Sequence, residues 1–335
     1  MVKKTRVLTG ITTSGVPHIG NLAGAILPAI EASQNKNAES FLFLADYHSL
    51  IKNNDPKLTH TSSFEIAACW LACGLDPEEV IFYRQSDIPH IMELTWILGC
   101  LTSKGLLNRA HAYKAAIAEN KKEDPDKGIT MGLFNYPVLM AADILIFNAD
   151  KVPVGQDQKQ HVEMTRDIAL RFNHHYGEVF TIPDVSIEEN SGTLPGIDGK
   201  KMSKSYKNVI PIFLNTDDLR KRIMKIKTDS KEPGEPKDID ESSIFNIYRA
   251  FATKKQSEEL AHKYKEGLAW GEAKELLFEL LEEKIGPLRQ NYEMFIEDRK
   301  GLERILHSGA EKALDVSTPI INEVRHAVGI RGFED

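Results

Sequence analysis

The chain has 335 residues, enough for one large domain and a smaller one, and its 41% hydrophobic and 27% charged content is that of an ordinary soluble globular protein. It contains no apolar run of about 18 residues, which excludes a membrane-spanning helix, and the N-terminus leads into the first predicted strand with no signal-peptide core, so a cytoplasmic location is expected. A net charge of −7 excludes a protein that coats nucleic acid through its overall charge, and three cysteines (Cys69, Cys73, Cys100) are too few for a disulfide scaffold or a metal site.

Residues 6–11 form a short β-branched, apolar run of the kind that makes a buried parallel strand, and residues 22–32 carry apolar side chains at helical spacing. Between them, Thr12-Thr13-Ser14-Gly15-Val16-Pro17-His18-Ile19-Gly20-Asn21 is a strand-to-helix turn. Unpaired backbone N–H groups and the helix dipole suit such a turn to phosphate. Gly15 and Gly20 remove side chains where a ring or a phosphate would approach the backbone, and His18 adds a hydrogen-bond donor. Taken alone, a loop with two glycines and a stray histidine explains the same residues. Residues 39–46 read as a second buried strand, with His48 just past its C-terminal end, the end that faces the ligand crevice in open parallel sheets. His48 is either a pocket residue or a satisfied structural histidine. A helix over residues 59–73, a third strand over 80–85 and a helix over 88–101 follow, and this alternation predicts a doubly wound α/β domain. The charged segment 121–128 reads as a mobile surface loop.

Tyr136, Met140 and Asp143 stand at i, i+4 and i+7, so one helix face presents an aromatic ring, a soft apolar group and a carboxylate. A carboxylate in so apolar a run needs a partner when buried. Either it makes a salt bridge or cap, or it belongs to a pocket that grips an aromatic ring and accepts its single N–H. A short strand over residues 151–154 runs into Gly155-Gln156-Asp157-Gln158, where Asp157 is placed to bond a ribose hydroxyl and Gln158 offers a donor and an acceptor. An N-cap that complements the helix dipole explains Asp157 equally well. Far downstream, residues 194–205 place Pro and two glycines before Lys200-Lys201-Met202-Ser203-Lys204-Ser205. A loop of this kind can move, and Lys201 and Lys204 bring two ammonium groups to one place, suited to charge that develops as pyrophosphate leaves. By composition alone it is a solvated basic loop.

The pairing of Pro17-His18-Ile19-Gly20-Asn21 with Lys201-Met202-Ser203-Lys204-Ser205, in this order, resembles the two signature motifs of class I aminoacyl-tRNA synthetases. Within that class, the segments 140–145 and 152–161 are similar to the tryptophanyl-tRNA synthetase family of bacterial type. The resemblance implies an α/β fold: a Rossmann-like, doubly wound parallel sheet for nucleotide binding, with a smaller all-helical domain. It implies a catalytic domain over residues 1–206 with a mobile loop at 194–206, a helical anticodon-binding domain over 207–300, and a C-terminal helix in 301–335 packing back on the catalytic domain. By position it assigns ATP contacts to Thr12, Thr13, Ser14, Gly20, Asn21, Gly155, Gln156, Asp157, Leu194 and Lys201 to Ser205 (Lys201, Met202, Ser203, Lys204, Ser205), with His18, Lys201 and Lys204 catalytic. Asp143 matches the acceptor of the indole N–H, while Tyr136, Met140, His48 and Gln158 fall where the amino-acid pocket is lined. The implied partners are L-tryptophan, ATP with Mg²⁺, tRNA(Trp) and a second copy of the chain, with no membrane and no metal held by the protein itself. The turn Thr12-Thr13-Ser14-Gly15 departs from the Gln-Pro-Ser-Gly of many family members.

The implied reaction is attack of the tryptophan carboxylate on the α-phosphorus of ATP, followed by transfer to a terminal tRNA hydroxyl, which asks for positioning and charge stabilisation. A smaller substrate would leave Asp143 unpaired, so selection in one step is expected. After residue 205, the segment 217–227 is basic and reads as a solvated helix face, 232–240 as an acidic loop, and 244–306 as helices. Three other readings stay open at this stage: a tyrosyl-tRNA synthetase, a small-molecule nucleotidyltransferase, and a synthetase-like binding module without activity.

Overall fold

The computed structural model describes residues 4–13, 15, 17–120, 124–187 and 194–333. Ser14 and residues 121–123 of the charged loop lie outside the described residues. The N-terminal part alternates strand and helix: β1 (Thr5–Thr12), α1 (Ile19–Asn21), α2 (Leu27–Ser33), β2 (Ala38–Ala45), α3 (Asp46–Ser49), α4 (Pro56–Ala72), β3 (Ile81–Arg84), α5 (Pro89–Leu101), α6 (Lys104–Leu107), α7 (His111–Glu119), α8 (Met131–Leu145), β4 (Lys151–Val154), α9 (Lys159–Tyr176) and β5 (Asp184–Ile187). Helices alone follow: α10 (Thr216–Met224), α11 (Ser243–Phe251), α12 (Lys254–Lys265), α13 (Trp270–Glu297) and α14 (Arg299–Ala327).

The five strands form one parallel sheet in the order β3-β2-β1-β4-β5. Because side chains alternate along a strand, β2 and β3 feed two cores. Leu42, Leu44 and Phe82 face Ile19, Leu22, Ile26 and the buried side of α4, and this core runs on without a break into Ile210, Ile223, Leu277, Leu281 and Leu306. Phe41, Phe43 and Tyr83 face the other way, onto Ile91 and Leu94 of α5, Val138 and Leu145 of α8, Phe172 of α9, and Ile321 and Val324 of α14. Contact with α14 is backbone-close, since a Cβ on Gly309 would stand 1.8 Å from the Phe82 carbonyl oxygen. Cys69 and Cys73 are buried in the first core, and Cys100 is exposed.

Two details depart from the sequence reading. The helix after β1 is interrupted by a π-turn over Leu22–Ile26, in which the Leu27 N–H bonds the Leu22 carbonyl. Pro28 has no N–H to carry an ordinary ladder through this point, and such turns recur beside functional sites. Strand β5 was not legible, being four residues with two polar members at a sheet edge. The basic run 217–227 falls mostly in α10, and several of its charges are engaged within the chain. Arg220 pairs with Glu275 at 2.5 Å, Lys221 with Asp218 at 3.3 Å, and Arg222 donates to the Val209 and Lys207 carbonyls. None of the described helices is long and apolar enough to cross a membrane.

Candidate active site

The strand order reverses between β1 and β4, so the chain leaves their C-terminal ends in opposite directions and opens a crevice there. A cleft of about 1090 Å³ occupies it, lined among others by Thr12, Thr13, Gly15, His48, Tyr136, Met140, Asp143, Gly155 and Gln158. These sequence-predicted residues come from four separate turns and helices. The Thr130 side chain accepts the Leu133 N–H and starts α8, whose i, i+4, i+7 spacing turns Tyr136, Met140 and Asp143 to the same side.

Asp143 is the deepest charge in the cleft, only 1% exposed. Its Oδ2 lies 2.9 Å from His48 Nε2, and its Oδ1 accepts from Gln85 Nε2 at 2.7 Å. Burial pushes its pKa up, while the His48 and Gln85 contacts pull it down. The Tyr83 hydroxyl is buried with no hydrogen-bond partner among the described residues, and burial raises its pKa.

In the same cleft, buried His161 joins two predicted pocket residues. Its Nε2 meets the Tyr136 hydroxyl, and its Nδ1 lies 3.0 Å from Gln158 Oε1. Since a carbonyl oxygen only accepts, Nδ1 carries the hydrogen, and in the neutral ring Nε2 accepts from Tyr136. Two functional candidates were therefore missed in the sequence, His161 and Gln85. His161 closes the run that begins at Gly155, and Gln85 ends a strand on the crevice side, the same signal that singled out His48.

The first turn meets the lysine-rich loop at Gly15 and Lys204. His18 caps α1: its Nδ1 accepts the Asn21 N–H at 3.3 Å, and Asn21 Oδ1 accepts the His18 N–H at 3.1 Å. A Cβ on Gly20 would stand 3.0 Å from His18 Nδ1 and 3.6 Å from Met202 Sδ, so a larger residue would press the ring out of place by a few tenths of an ångström. Burial, and the nearby Lys204 ammonium, lower the His18 pKa to about 4, which keeps the ring neutral at neutral pH. Lys204 donates to the Gly15 carbonyl at 2.9 Å, and Gly15 takes φ +75°, a left-handed conformation that favours glycine. The Gly15 N–H is held by Ser62 Oγ at 3.2 Å.

The loop itself is tied to the core. Met202 N–H donates to the Leu194 carbonyl at 2.9 Å with both side chains buried, and Pro195 and Lys201 form a bridge. Asn208 receives the Ser203 N–H and donates to the Lys201 carbonyl and to Asp198. Lys201, Lys204 and Ser205 remain exposed. Thr13 is buried against the Ala45 carbonyl, whereas Thr12 and Gln156 are exposed, and residues 156–158 form a single 3₁₀ turn.

The family model described as tRNA synthetases class I (W and Y) matches residues 2–284. A tryptophan–tRNA ligase of Neisseria meningitidis serogroup A (strain Z2491) is 56% identical over 333 residues, spanning 98% of this chain and 99% of that protein. A tryptophan–tRNA ligase of Pseudomonas syringae pv. tomato (strain DC3000) is 58% identical, spanning 98% of this chain and 74% of that one. Among solved structures, tryptophanyl-tRNA synthetase from Campylobacter jejuni, complexed with ADP and tryptophan, matches with a TM-score of 0.89 at 40% identity, over 97% of this chain and 100% of that chain.

Proposed function

Because the chain belongs to the tryptophan–tRNA ligase family of class I aminoacyl-tRNA synthetases, we propose that its cleft holds the tryptophan indole against Asp143 and ATP across the first turn. The activity is ATP-dependent formation of tryptophanyl-adenylate and its transfer to tRNA. The observation that carries the arrangement is the buried Asp143 carboxylate, held by two donors and lining a cleft. A carboxylate at that depth is costly unless it is paired, and an indole N–H is a third donor it can accept. Phenylalanine brings no N–H, and a phenol presents its hydroxyl at a different place on the ring.

In the first step an oxygen of the tryptophan carboxylate forms a bond to the α-phosphorus of ATP while the bond to the pyrophosphate oxygen breaks. Positioning and charge stabilisation carry this step. His18, neutral, donates a hydrogen bond to a phosphate oxygen, and Lys201 and Lys204 offset the negative charge on the leaving pyrophosphate. In the second step a terminal ribose hydroxyl of tRNA(Trp) attacks the carbonyl carbon and AMP leaves. Tyr136 and Gln158, set in place by His161, bind the substrate's ammonium, with Met140 and His48 beside the ring. The backbone of residues 155–157 takes the ribose, and Thr12, Thr13, Ser14, Gly20, Asn21, Leu194, Met202, Ser203 and Ser205 frame the nucleotide. Mg²⁺ is assigned to the phosphates of ATP, where it offsets their charge.

Residues 1–206 are assigned to catalysis, 207–300 to anticodon binding, and 301–335 to packing against β3, a role supported by the close approach of Gly309 to Phe82. We assign the exposed face of α5, carrying Met92, Trp96 at 76% exposure and Cys100, to the contact between two copies of a cytoplasmic homodimer. The test of the reaction is amino-acid-dependent ATP–pyrophosphate exchange with tryptophan, tyrosine and phenylalanine. Exchange with tryptophan alone is expected. A preference for tyrosine would overturn the specificity but keep the class, and no exchange in folded protein with Mg²⁺ would favour the binding-module reading.

A further inference from the structure

Gln85 is completely buried and is not among the cleft-lining residues, yet it touches the carboxylate that lines the cleft. Its amide orientation is set independently, because Gln85 Oε1 accepts the Tyr47 N–H at 3.1 Å. That contact leaves Nε2 as the end facing Asp143, which it meets at 2.7 Å. Asp143 therefore has one donor on each oxygen, Gln85 on Oδ1 and His48 on Oδ2. Two donors on different oxygens stop rotation of the carboxylate about its Cβ–Cγ bond, where His48 alone would leave it free to turn. Each oxygen still has an unused lone pair.

The two donors also share one mount. Tyr47 and His48 are neighbours in α3, and Asp46, the first residue of α3, accepts the Ser86 N–H at 3.1 Å and the Ser86 hydroxyl at 2.5 Å. Ser86 follows Gln85 directly. The ends of β2 and β3 are thus joined twice over, Asp46 to Ser86 and Tyr47 to Gln85, and both donors reach Asp143 from a single rigid corner.

We propose that Gln85 is a positioning residue for indole recognition: it fixes the carboxylate of Asp143 in the plane that meets the ring N–H, and so sets how strongly a substrate without that N–H is refused. The inference rests on the reading of Asp143 as the indole acceptor. It makes Gln85 act through Asp143, with no contact to the substrate.

The test compares tryptophan with β-(3-benzothienyl)alanine, in which sulfur replaces the ring N–H, in ATP–pyrophosphate exchange by the full-length protein. The variants are Gln85→Met, Gln85→Leu and Asp143→Ala. Gln85→Met is expected to raise KM for tryptophan about tenfold, the effect of losing one hydrogen bond to a charged group, with kcat and the analogue's KM changed less than about twofold. The preference for tryptophan then falls about tenfold. Gln85→Leu also removes the donor without adding a charge, so it moves the preference in the same direction and serves if Gln85→Met does not fold. Parallel changes in both substrates, or no change in either, would overturn the proposal. If Asp143→Ala leaves the preference intact, the parent reading fails and this one with it; if Asp143→Ala abolishes the preference while both Gln85 variants retain it, only the role of Gln85 fails.

Discussion

Lys204→Met keeps most of the side-chain length and removes the charge. The Lys204 ammonium donates to the Gly15 carbonyl at 2.9 Å, across 189 residues of sequence, so it already stands beside the turn where the triphosphate is assigned. At about 4 Å, in an effective dielectric of about 20, one unit of charge on a phosphate is worth about 4 kcal/mol. Loss of a preorganised donor in other active sites costs about 2.7–4 kcal/mol, or roughly 10²–10³ in kcat. The two figures agree, and single-turnover formation of tryptophanyl-adenylate at saturating substrates is expected to slow by about 10²–10³-fold. The lost contact with Gly15 is a hydrogen bond at an exposed site, about 1 kcal/mol of stability, too little to explain such a drop. Tryptophan binding should be untouched, with KM unchanged within about twofold, because Asp143, His48 and Gln85 form a separate network. A fall of less than about tenfold, or a tryptophan KM that rises in step with the loss of rate, would refute the assignment of Lys204 to the leaving group.

His18 gives a pH signature. Its pKa drops from the ordinary 6.5 to about 4 in the folded protein, so the unfolded chain takes up the proton first as pH falls. The folded state therefore loses stability between pH 6.5 and about 4, and above 6.5 this contribution is constant. In urea melts the wild type should lose stability relative to His18→Gln as pH falls through that window, and a pH-independent difference would contradict burial of a neutral ring. For the assembly, Trp96→Glu on the exposed face of α5 is expected to turn a dimer into a monomer in sedimentation velocity. A dimer that survives the substitution would place the contact elsewhere.

Much of the molecule was legible because local chemistry repeats along the chain. Alternating apolar strands and periodic helices disclosed the doubly wound sheet, and the two glycine-bearing turns and the lysine-rich loop announced themselves by spacing. Asp143 stood out because a carboxylate in an apolar helix needs a reason. Elements whose partners are distant in sequence were hidden. Nothing in β5 distinguishes it from a loop until it pairs with β4 from Lys151 to Val154. The basic run 217–227 is a largely exposed face, as its charge suggests, but the sequence hides that Arg220 and Arg222 are held by Glu275 and by backbone carbonyls that folding brings near.

By itself, then, the sequence determined the class of fold, the family and the residue types gathered at the crevice, since each is written in periodicity or in short motifs that local backbone geometry reads. Tertiary structure alone decided which of those side chains hold one another. Gln85 reaches Asp143 over 58 residues, and Lys204 reaches Gly15 over 189. Buried hydrogen bonds of this kind depend on distance and direction between strand ends, quantities that exist only once both cores have closed around the sheet.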